Sequence, residues 1–395
     1  MDKVKYLIIG GGMAGDSAVR GIRSLDPNGS ICLITDEAVG PYNRPALSKG
    51  LWAGKSIEKI WRKTEKLNVE LVISTRVESL NLSDKTVKTD KDEFFTFEKA
   101  LLATGATPRM FPFAGEMVNY FRYLKDYQDL RDLASRKDEF VIIGGGFIGS
   151  ELAASLSGFG KKVNIIFPEN WLNQRIFPAE VSAHLHEVFD QHGINILSGI
   201  SVAGIEEKSG KKIVNIKKAD GEILDLSADG VIAGLGVIPN TILAEQSNLP
   251  TGNGITVDST FRTAHPDIYA AGDVANFPDT FLFKNRRVEH EDHANASGFL
   301  AGKNMAGANE SYAYLPYFYS DLFDIGYEAV GELDSSLEVT LDWVEPFKKG
   351  VFYYQRNGTV VGVLLWNTWG KLDQARAIIS ENKVTNKSDL IGRIQ

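Results

Sequence analysis

The chain has 395 residues, 43% of them hydrophobic and 24% charged, with 43 basic against 51 acidic side chains and a formal net charge of −8. That length and balance suit an ordinary globular protein of about two to four domains. With an acidic balance and no run of five like charges, neither nucleic acid nor an anionic membrane surface is an evident partner. The single cysteine, Cys32 in the apolar run SICLIT, excludes a disulfide framework, a CxxC redox pair and a thiolate metal site, and points to the cytoplasm.

The opening VKYLIIGGGMAG breaks into glycines too soon for a signal peptide or a spanning helix, so it reads as a buried first strand from Lys5 to Ile9. Gly10, Gly12 and Gly15 follow, then a helix, then the strand ICLIT ending at Asp36. The same plan recurs with a strand from Phe140 to Ile143, Gly144, Gly146 and Gly149, a helix, and KVNIIF leading to Glu169. In this arrangement the first glycine permits the turn, the second lets the backbone approach a pyrophosphate and the third lets helix and strand pack closely. The acid about twenty residues on accepts hydrogen bonds from the adenosine ribose. A lone GxGxxG is weak evidence; the full context met twice predicts two dinucleotide sites.

ALLATGATPR, Ala100 to Arg109, and GVIAGLGVIPN, Gly230 to Asn240, are apolar strands ending in turns. They read as crossings between domains, the second unit interrupting the first. DIYAAGDVANF, a buried strand ending in Gly272 and Asp273, and the helix-like HANASGFLAGKNM then return the chain to the first domain. From about Leu315 the runs turn aromatic and β-branched, and Asn357-Gly358 within VFYYQRNGTVVGVLLW predicts a hairpin with a type I′ turn. KLDQARAII reads as an amphipathic helix. The predicted fold is α/β: two Rossmann-like nucleotide-binding domains, the first from 1–108 and 241–314, the second from 109–240, and a C-terminal α+β domain with an antiparallel sheet from 315–395.

The blocks GPYNRPALSKGLW, LLATGATPR, GGGFIGSELAASL, IYAAGDVANF, RRVEHEDHANASG and YFYSDLFDIGYEAVGELDSS together resemble a family. It is that of FAD-dependent, NAD(P)H-using reductases, and within it the apoptosis-inducing factor group and its ferredoxin-reductase relatives. The likeness runs from residue 6 to about 370, and RPALSK and VEHEDH are more specific than the glycine loops. It implies that Gly10, Gly11, Gly12, Met13, Ala14, Gly15 and Asp36 hold FAD without a covalent link, and that Arg44, Lys49, Val77, Arg109, Asp273, His290, Glu291 and Tyr319 also contact it. It implies a nicotinamide nucleotide site of Gly145, Gly146, Phe147, Ile148, Glu169, Arg175, Gly236, Glu289, Glu328 and Asn367. Animal members of the apoptosis-inducing factor group carry a mitochondrial presequence, an extra C-terminal segment and a tryptophan where Tyr319 stands; lacking these, the sequence argues against a death-related or organellar role.

Hydride transfer from NADH needs the charge on reduced flavin compensated, and Lys49 is the candidate cation. Glu151, two residues after the last glycine of the second loop, either pairs with Lys49 or caps its own helix. Phe147 gates the flavin face or fills the core, and Tyr319 stacks on flavin or nicotinamide or belongs to an aromatic sheet. His290 and Glu289 belong beside the rings. A metal at VEHEDH is disfavoured, because His290 and His293 are three apart rather than four. His184, His186 and His192 sit in a polar helical segment and are expected to be solvated. Glu169 favours NADH by repelling a 2′-phosphate, tempered by Arg175.

The stretch NRPALSK has no cysteine where disulfide reductases of this architecture carry one, so electrons leave the flavin directly. The expected function is NADH-dependent reduction of a ferredoxin, rubredoxin, quinone or similar acceptor. The alternative is a redox-responsive binding protein with slow reduction and a stable reduced-flavin–NAD charge-transfer complex. A homodimer stays open.

Overall fold

The computed structural model describes residues 2–394. Its helices are α1 (Met13–Arg23), α2 (Leu124–Arg136), α3 (Phe147–Gly158), α4 (Ala179–Gln191), α5 (Ile242–Gln246), α6 (Glu291–Met305) and α7 (Leu372–Ser380). By its internal contacts the chain divides into two units. The first takes the chain up to Arg44, Ile57–Thr107 and Ile238–Tyr317; the second takes Pro45–Ser56, Pro108–Val237 and the chain from Phe318 on.

In the first unit the strand Asp2–Ile9 pairs in parallel with Ile31–Ile34 on one side and Phe94–Leu102 on the other, so that Ile9 faces both Ile34 and Leu102. Glu70–Val72 extends one edge and Ile268–Ala270 the other, both parallel. The early part of Phe94–Leu102 also pairs antiparallel with Thr86–Thr89, which pairs in turn with Val77–Asn81. The central strands are covered on both faces: Leu7, Ile8, Leu33 and Leu101 are all buried. This is why they read in sequence as continuous apolar runs without alternation. Helices α1 and α6 cross at backbone contact, since a Cβ at Gly298 would lie 2.3 Å from the Ala14 carbonyl oxygen.

In the second unit a parallel sheet runs in the order Ile194–Leu197, Lys162–Ile166, Glu139–Ile143, Gly230–Ala233. Here Ile143 faces both Ile166 and Ala233, the counterpart of Ile9 in the first unit. An antiparallel meander of Ser201–Lys208, Lys211–Lys217 and Ile223–Ala228 precedes the last of these strands. The strand order and the glycine loops thus repeat together, as two Rossmann-like halves require.

The same unit holds a five-stranded antiparallel sheet, ordered Tyr317–Leu322, Ile325–Gly331, Thr359–Trp366, Lys349–Arg356, Glu338–Glu345, with α7 against it. Asn357 (φ 51°) and Gly358 (φ 78°) form its central turn, both left-handed as a type I′ hairpin demands. Tyr327, Phe352, Tyr353, Tyr354 and Trp366 are buried in it.

Of the three histidines expected to be solvated, His192, at the C-cap of α4, is exposed, whereas His184 and His186 are partly buried and the expectation is corrected for them. His184 stacks on Phe347 with ring centroids 4.6 Å apart, and His192 lies flat on Phe323 at 3.7 Å. His186 Nε2 accepts the Leu172 N–H at 2.8 Å, and burial lowers its pKa. A polar helix face met by aromatic turns of a neighbouring sheet is covered, and helical periodicity alone does not reveal such a partner.

Candidate functional site

The first glycine loop is shaped by close approaches. Gly10 has φ +119°, and a Cβ there would lie 2.1 Å from the Ala103 carbonyl oxygen; one at Gly15 would lie 2.2 Å from the Gly10 carbonyl oxygen. Gly11 is crowded by the Thr35 side chain, and Met13 and Ala14 are buried. Gly12 differs, having extended backbone and, around the missing Cβ, only Arg44 Nη2 at 4.0 Å. It is the N-cap of α1 with no side-chain cap. The first N–H groups of the helix therefore open onto a space that a side chain would fill, which fits a pyrophosphate.

Around this loop the first unit fixes several charges. Arg44 donates to Glu37 through Nη2 and to the Tyr42 hydroxyl through Nη1 at 3.0 Å, while that hydroxyl donates to Glu37 Oε2 at 2.6 Å. Asp36 is exposed and only 3.9 Å from Arg76. Val77 is buried at the start of its strand. Asp273 follows the strand Ile268–Ala270, its carbonyl accepting from Arg287 Nη1 at 3.0 Å. Arg287 also pairs with Glu289 at 2.5 Å, and His290 and Glu291 form the N-cap and first residue of α6.

Asp16, fully buried at the start of α1, accepts from Arg20 Nε at 2.8 Å, Arg62 Nε at 2.6 Å and Thr64 Oγ1 at 2.6 Å. Burial alone would raise its pKa; the hydrogen bonds from Arg20 and Thr64 and the charge of Arg62 outweigh that and hold it below the usual value.

The second loop repeats the first. Gly144 has φ +114°, with a Cβ 2.4 Å from the Gly234 carbonyl oxygen, and a Cβ at Gly149 would lie 1.8 Å from the Gly144 carbonyl oxygen. Gly145 is crowded by the Phe167 ring, whereas Gly146, the N-cap of α3, has nothing within 4 Å. Phe147 opens α3 and packs edge-on against Phe318 at 5.3 Å; Ile148 is exposed. Glu169 pairs with the exposed Arg175 at 3.0 Å. Gly236 has φ +80°, and its carbonyl accepts the Arg109 N–H at 2.9 Å.

Glu151 lies one turn into α3, beyond the cap, and is 5% exposed. Its carboxylate gathers three donors: Ser48 Oγ to Oε2 at 2.6 Å, Ser320 Oγ to Oε1 at 2.7 Å, and Lys49 Nζ at 3.0 Å from Oε1. Lys49 Nζ also donates to the Tyr319 carbonyl at 3.3 Å and sits 4.3 Å from the Tyr319 ring centroid. The segment carrying Ser48 and Lys49 is held on the same helix by Ser155 Oγ, which donates to the Ser48 carbonyl at 2.7 Å. Buried Tyr327 stands nearby, its pKa raised well above the usual value by burial and then by the Glu151 charge. Ser48 and Ser320 were not singled out in the sequence. The signal was thin: each neighbours a named residue, Lys49 and Tyr319.

Glu328 and Asn367 occupy the antiparallel sheet. Glu328 Oε2 is buried without a hydrogen-bond partner, and burial raises its pKa. Asn367, at φ 44°, uses its whole amide locally: Oδ1 accepts the Gly326 N–H at 2.7 Å and Nδ2 donates to the Lys348 carbonyl at 2.9 Å. His293 is buried in the first unit, stacked on Phe277 at 4.7 Å with Nδ1 3.1 Å from the Tyr312 hydroxyl. Cys32 is buried within Ile31–Ile34.

Residues 4–298 match the family described as pyridine nucleotide-disulphide oxidoreductase, and residues 301–345 and 340–381 the one described as apoptosis-inducing factor, mitochondrion-associated, C-term. The chain is 31% identical to apoptosis-inducing factor 1, mitochondrial, of Dictyostelium discoideum, over 97% of this chain and 79% of that protein. It is 34% identical to monodehydroascorbate reductase 3 of Arabidopsis thaliana, over 91% of this chain and 89% of that protein. Among solved structures it resembles putidaredoxin reductase in its covalent complex with putidaredoxin, at TM-score 0.89 and 27% identity over 98% and 95% of the two chains. A ferredoxin reductase from Rhodopseudomonas palustris gives TM-score 0.89 and 28% identity over 98% and 96%.

Proposed function

The chain belongs to the pyridine nucleotide-disulphide oxidoreductase family and is an FAD-binding oxidoreductase that uses NAD(P)H, and from that premise we propose an NADH-preferring reductase whose electrons go straight to an external acceptor. We assign FAD to the first cradle and the nicotinamide nucleotide to the second. Bound FAD supplies an acceptor for hydride that can release electrons one at a time.

The observation that carries this reading is the buried Glu151 carboxylate with Lys49, Ser48 and Ser320 around it. Three donors keep the carboxylate in one place, so the Lys49 ammonium is fixed in orientation and presents a positive charge without rearranging. Tyr319 covers one side of that ammonium and limits its access to water. In the second unit, Phe147 at the head of α3 is the ring a nicotinamide would displace, and Glu169 sets the preference for a 2′-hydroxyl. Cys32, buried in a strand, leaves no thiol relay, so the chain works without the disulfide in its family's description.

The relatives support a ferredoxin-type protein or the monodehydroascorbate radical as the acceptor, and a quinone is the third candidate. The test is anaerobic reduction by NADH followed by mixing with each acceptor in turn. Reoxidation by one of them at a rate matching turnover supports the reading; a slow return with all of them removes it. The match of residues 301–381 to the apoptosis-inducing factor C-terminal family favours a second reading, a redox-responsive binding protein. That protein would stay reduced with NAD bound in air and change its association state. Among the described residues no helix is long and apolar enough to cross a membrane; a cytoplasmic site is part of the proposal, as is a homodimer.

A further inference from the structure

Two adjacent acids follow the strand Ile31–Ile34, and their surroundings differ. The Asp36 side chain is 55% exposed with one long contact to Arg76, whereas the Glu37 side chain is 13% exposed and is held at both oxygens. Oε2 takes the Tyr42 hydroxyl at 2.6 Å and Oε1 takes Arg44 Nη2. Tyr42 is itself 1% exposed, and its hydroxyl also accepts Arg44 Nη1 at 3.0 Å, closing a ring of three side chains. The guanidinium rests 5.1 Å from the Tyr42 ring centroid. Its Nη2 is the nearest side-chain atom to the open position at Gly12.

A carboxylate beside a phosphate site is unfavourable unless its charge is committed to a fixed partner. Here it is committed twice, and what it fixes is a planar cation on the rim of the cradle. We propose that Glu37, with Tyr42, is the positioning residue of the FAD cradle: it holds the Arg44 guanidinium beside Gly12, where that cation meets the pyrophosphate. The proposal rests on the assignment of FAD to the first cradle. Arg44 is the group that touches the cofactor, and Glu37 acts through it.

The experiment is FAD titration of apoprotein, followed by quenching of flavin fluorescence, for the wild type, Glu37→Gln, Tyr42→Phe, Arg44→Lys and Gly12→Val. Glu37→Gln and Arg44→Lys should weaken FAD binding about tenfold or more, as expected for loss of a charge-assisted contact, and Tyr42→Phe should weaken it less. ADP, which keeps a diphosphate, should lose potency as a competitor in Glu37→Gln while adenosine does not. A purely structural acid would lower the melting temperature of the apoprotein and leave the ADP-to-adenosine ratio alone. Wild-type or tighter FAD binding by Glu37→Gln, the result of simple relief of like-charge repulsion, overturns the proposal. Gly12→Val separates the two levels, because its backbone is extended and its Cβ meets only Arg44 Nη2, at 4.0 Å, so the side chain fills the cradle. If Gly12→Val loses FAD while Glu37→Gln keeps it, only the role of Glu37 falls. If Gly12→Val binds FAD normally, the cradle assignment falls and the proposal with it.

Discussion

Lys49 Nζ lies 3.0 Å from Glu151 Oε1, although the two residues are more than a hundred positions apart and one of them sits beyond the cap of a helix. The carboxylate is not at the helix end, so the capping alternative has no geometry to support it, and the pair with Lys49 is what remains. Glu151→Ala should leave FAD bound and slow the reduction by NADH by about tenfold or more, since a hydrogen bond to a charged group contributes about 1.5 to 3 kcal/mol. Stopped-flow absorbance of the flavin checks this, and an unchanged rate would leave the pair with a purely structural part.

Gly146 and Gly149 should separate binding from folding. Gly149→Ala forces a Cβ to within 1.8 Å of the Gly144 carbonyl oxygen and should cost at least the roughly 1 to 3 kcal/mol of an overpacked core. Gly146→Ala has nothing within 4 Å, so its denaturation midpoint should stay put while its affinity for NADH drops. Equal destabilisation of the two would contradict the shape of the cradle.

Cofactor preference should follow the ion pair between Glu169 and Arg175. Glu169→Ala removes the acid and releases the exposed Arg175 from its 3.0 Å contact, leaving a cation for a 2′-phosphate. The ratio of kcat/KM for NADH to that for NADPH should fall about tenfold. A ratio that does not move would take the acid out of the nucleotide site.

Cys32→Ser should keep wild-type flavin reduction and cost about 1 to 3 kcal/mol of stability, because a hydroxyl is placed in a fully buried strand. Denaturant unfolding and stopped-flow reduction read the two effects separately. Slower reduction in this variant would contradict direct exit of electrons.

Burial lowers the pKa of His293 from 6.5 to about 3. The folded value lies below the unfolded one, so as the pH falls the unfolded chain takes up the proton first. The stabilisation is complete above pH 6.5 and drains away between 6.5 and about 3, at up to about 1.4 kcal/mol per pH unit. His293→Phe should flatten the dependence of the urea midpoint on pH within that window. An identical dependence in wild type and variant would mean that His293 is not buried neutral.

Much of this is legible in the sequence. Gly10, Gly12 and Gly15, repeated at Gly144, Gly146 and Gly149, announced the two cradles because close packing leaves a local mark in sequence. So did Asn357-Gly358, since left-handed backbone restricts residue type. The full setting of Glu151 was not legible: Ser320 lies 169 residues from Glu151, and nothing near either residue in sequence signals the meeting. His184 failed for the same reason, its partner Phe347 arriving from a turn far along the chain. Local chemistry can be read along the chain; contacts between distant segments require the fold.

The first unit is assembled from three separate stretches, ending with Ile238–Tyr317, and its edge strand Ile268–Ala270 and helix α6 both lie in the last of them. The parallel sheet of the second unit, by contrast, is complete once Ala233 has been made. On the ribosome, where a chain emerges from its N-terminus at about 5 to 20 residues per second, the helix that covers α1 is therefore made only after the second unit's parallel sheet is complete. The N-terminal cradle has both neighbours of its central strand by Leu102, yet it lacks its edge strand and α6 until the polypeptide has run past Met305. Nascent chains stalled before that point should be unable to retain flavin, and those stalled after it should acquire colour.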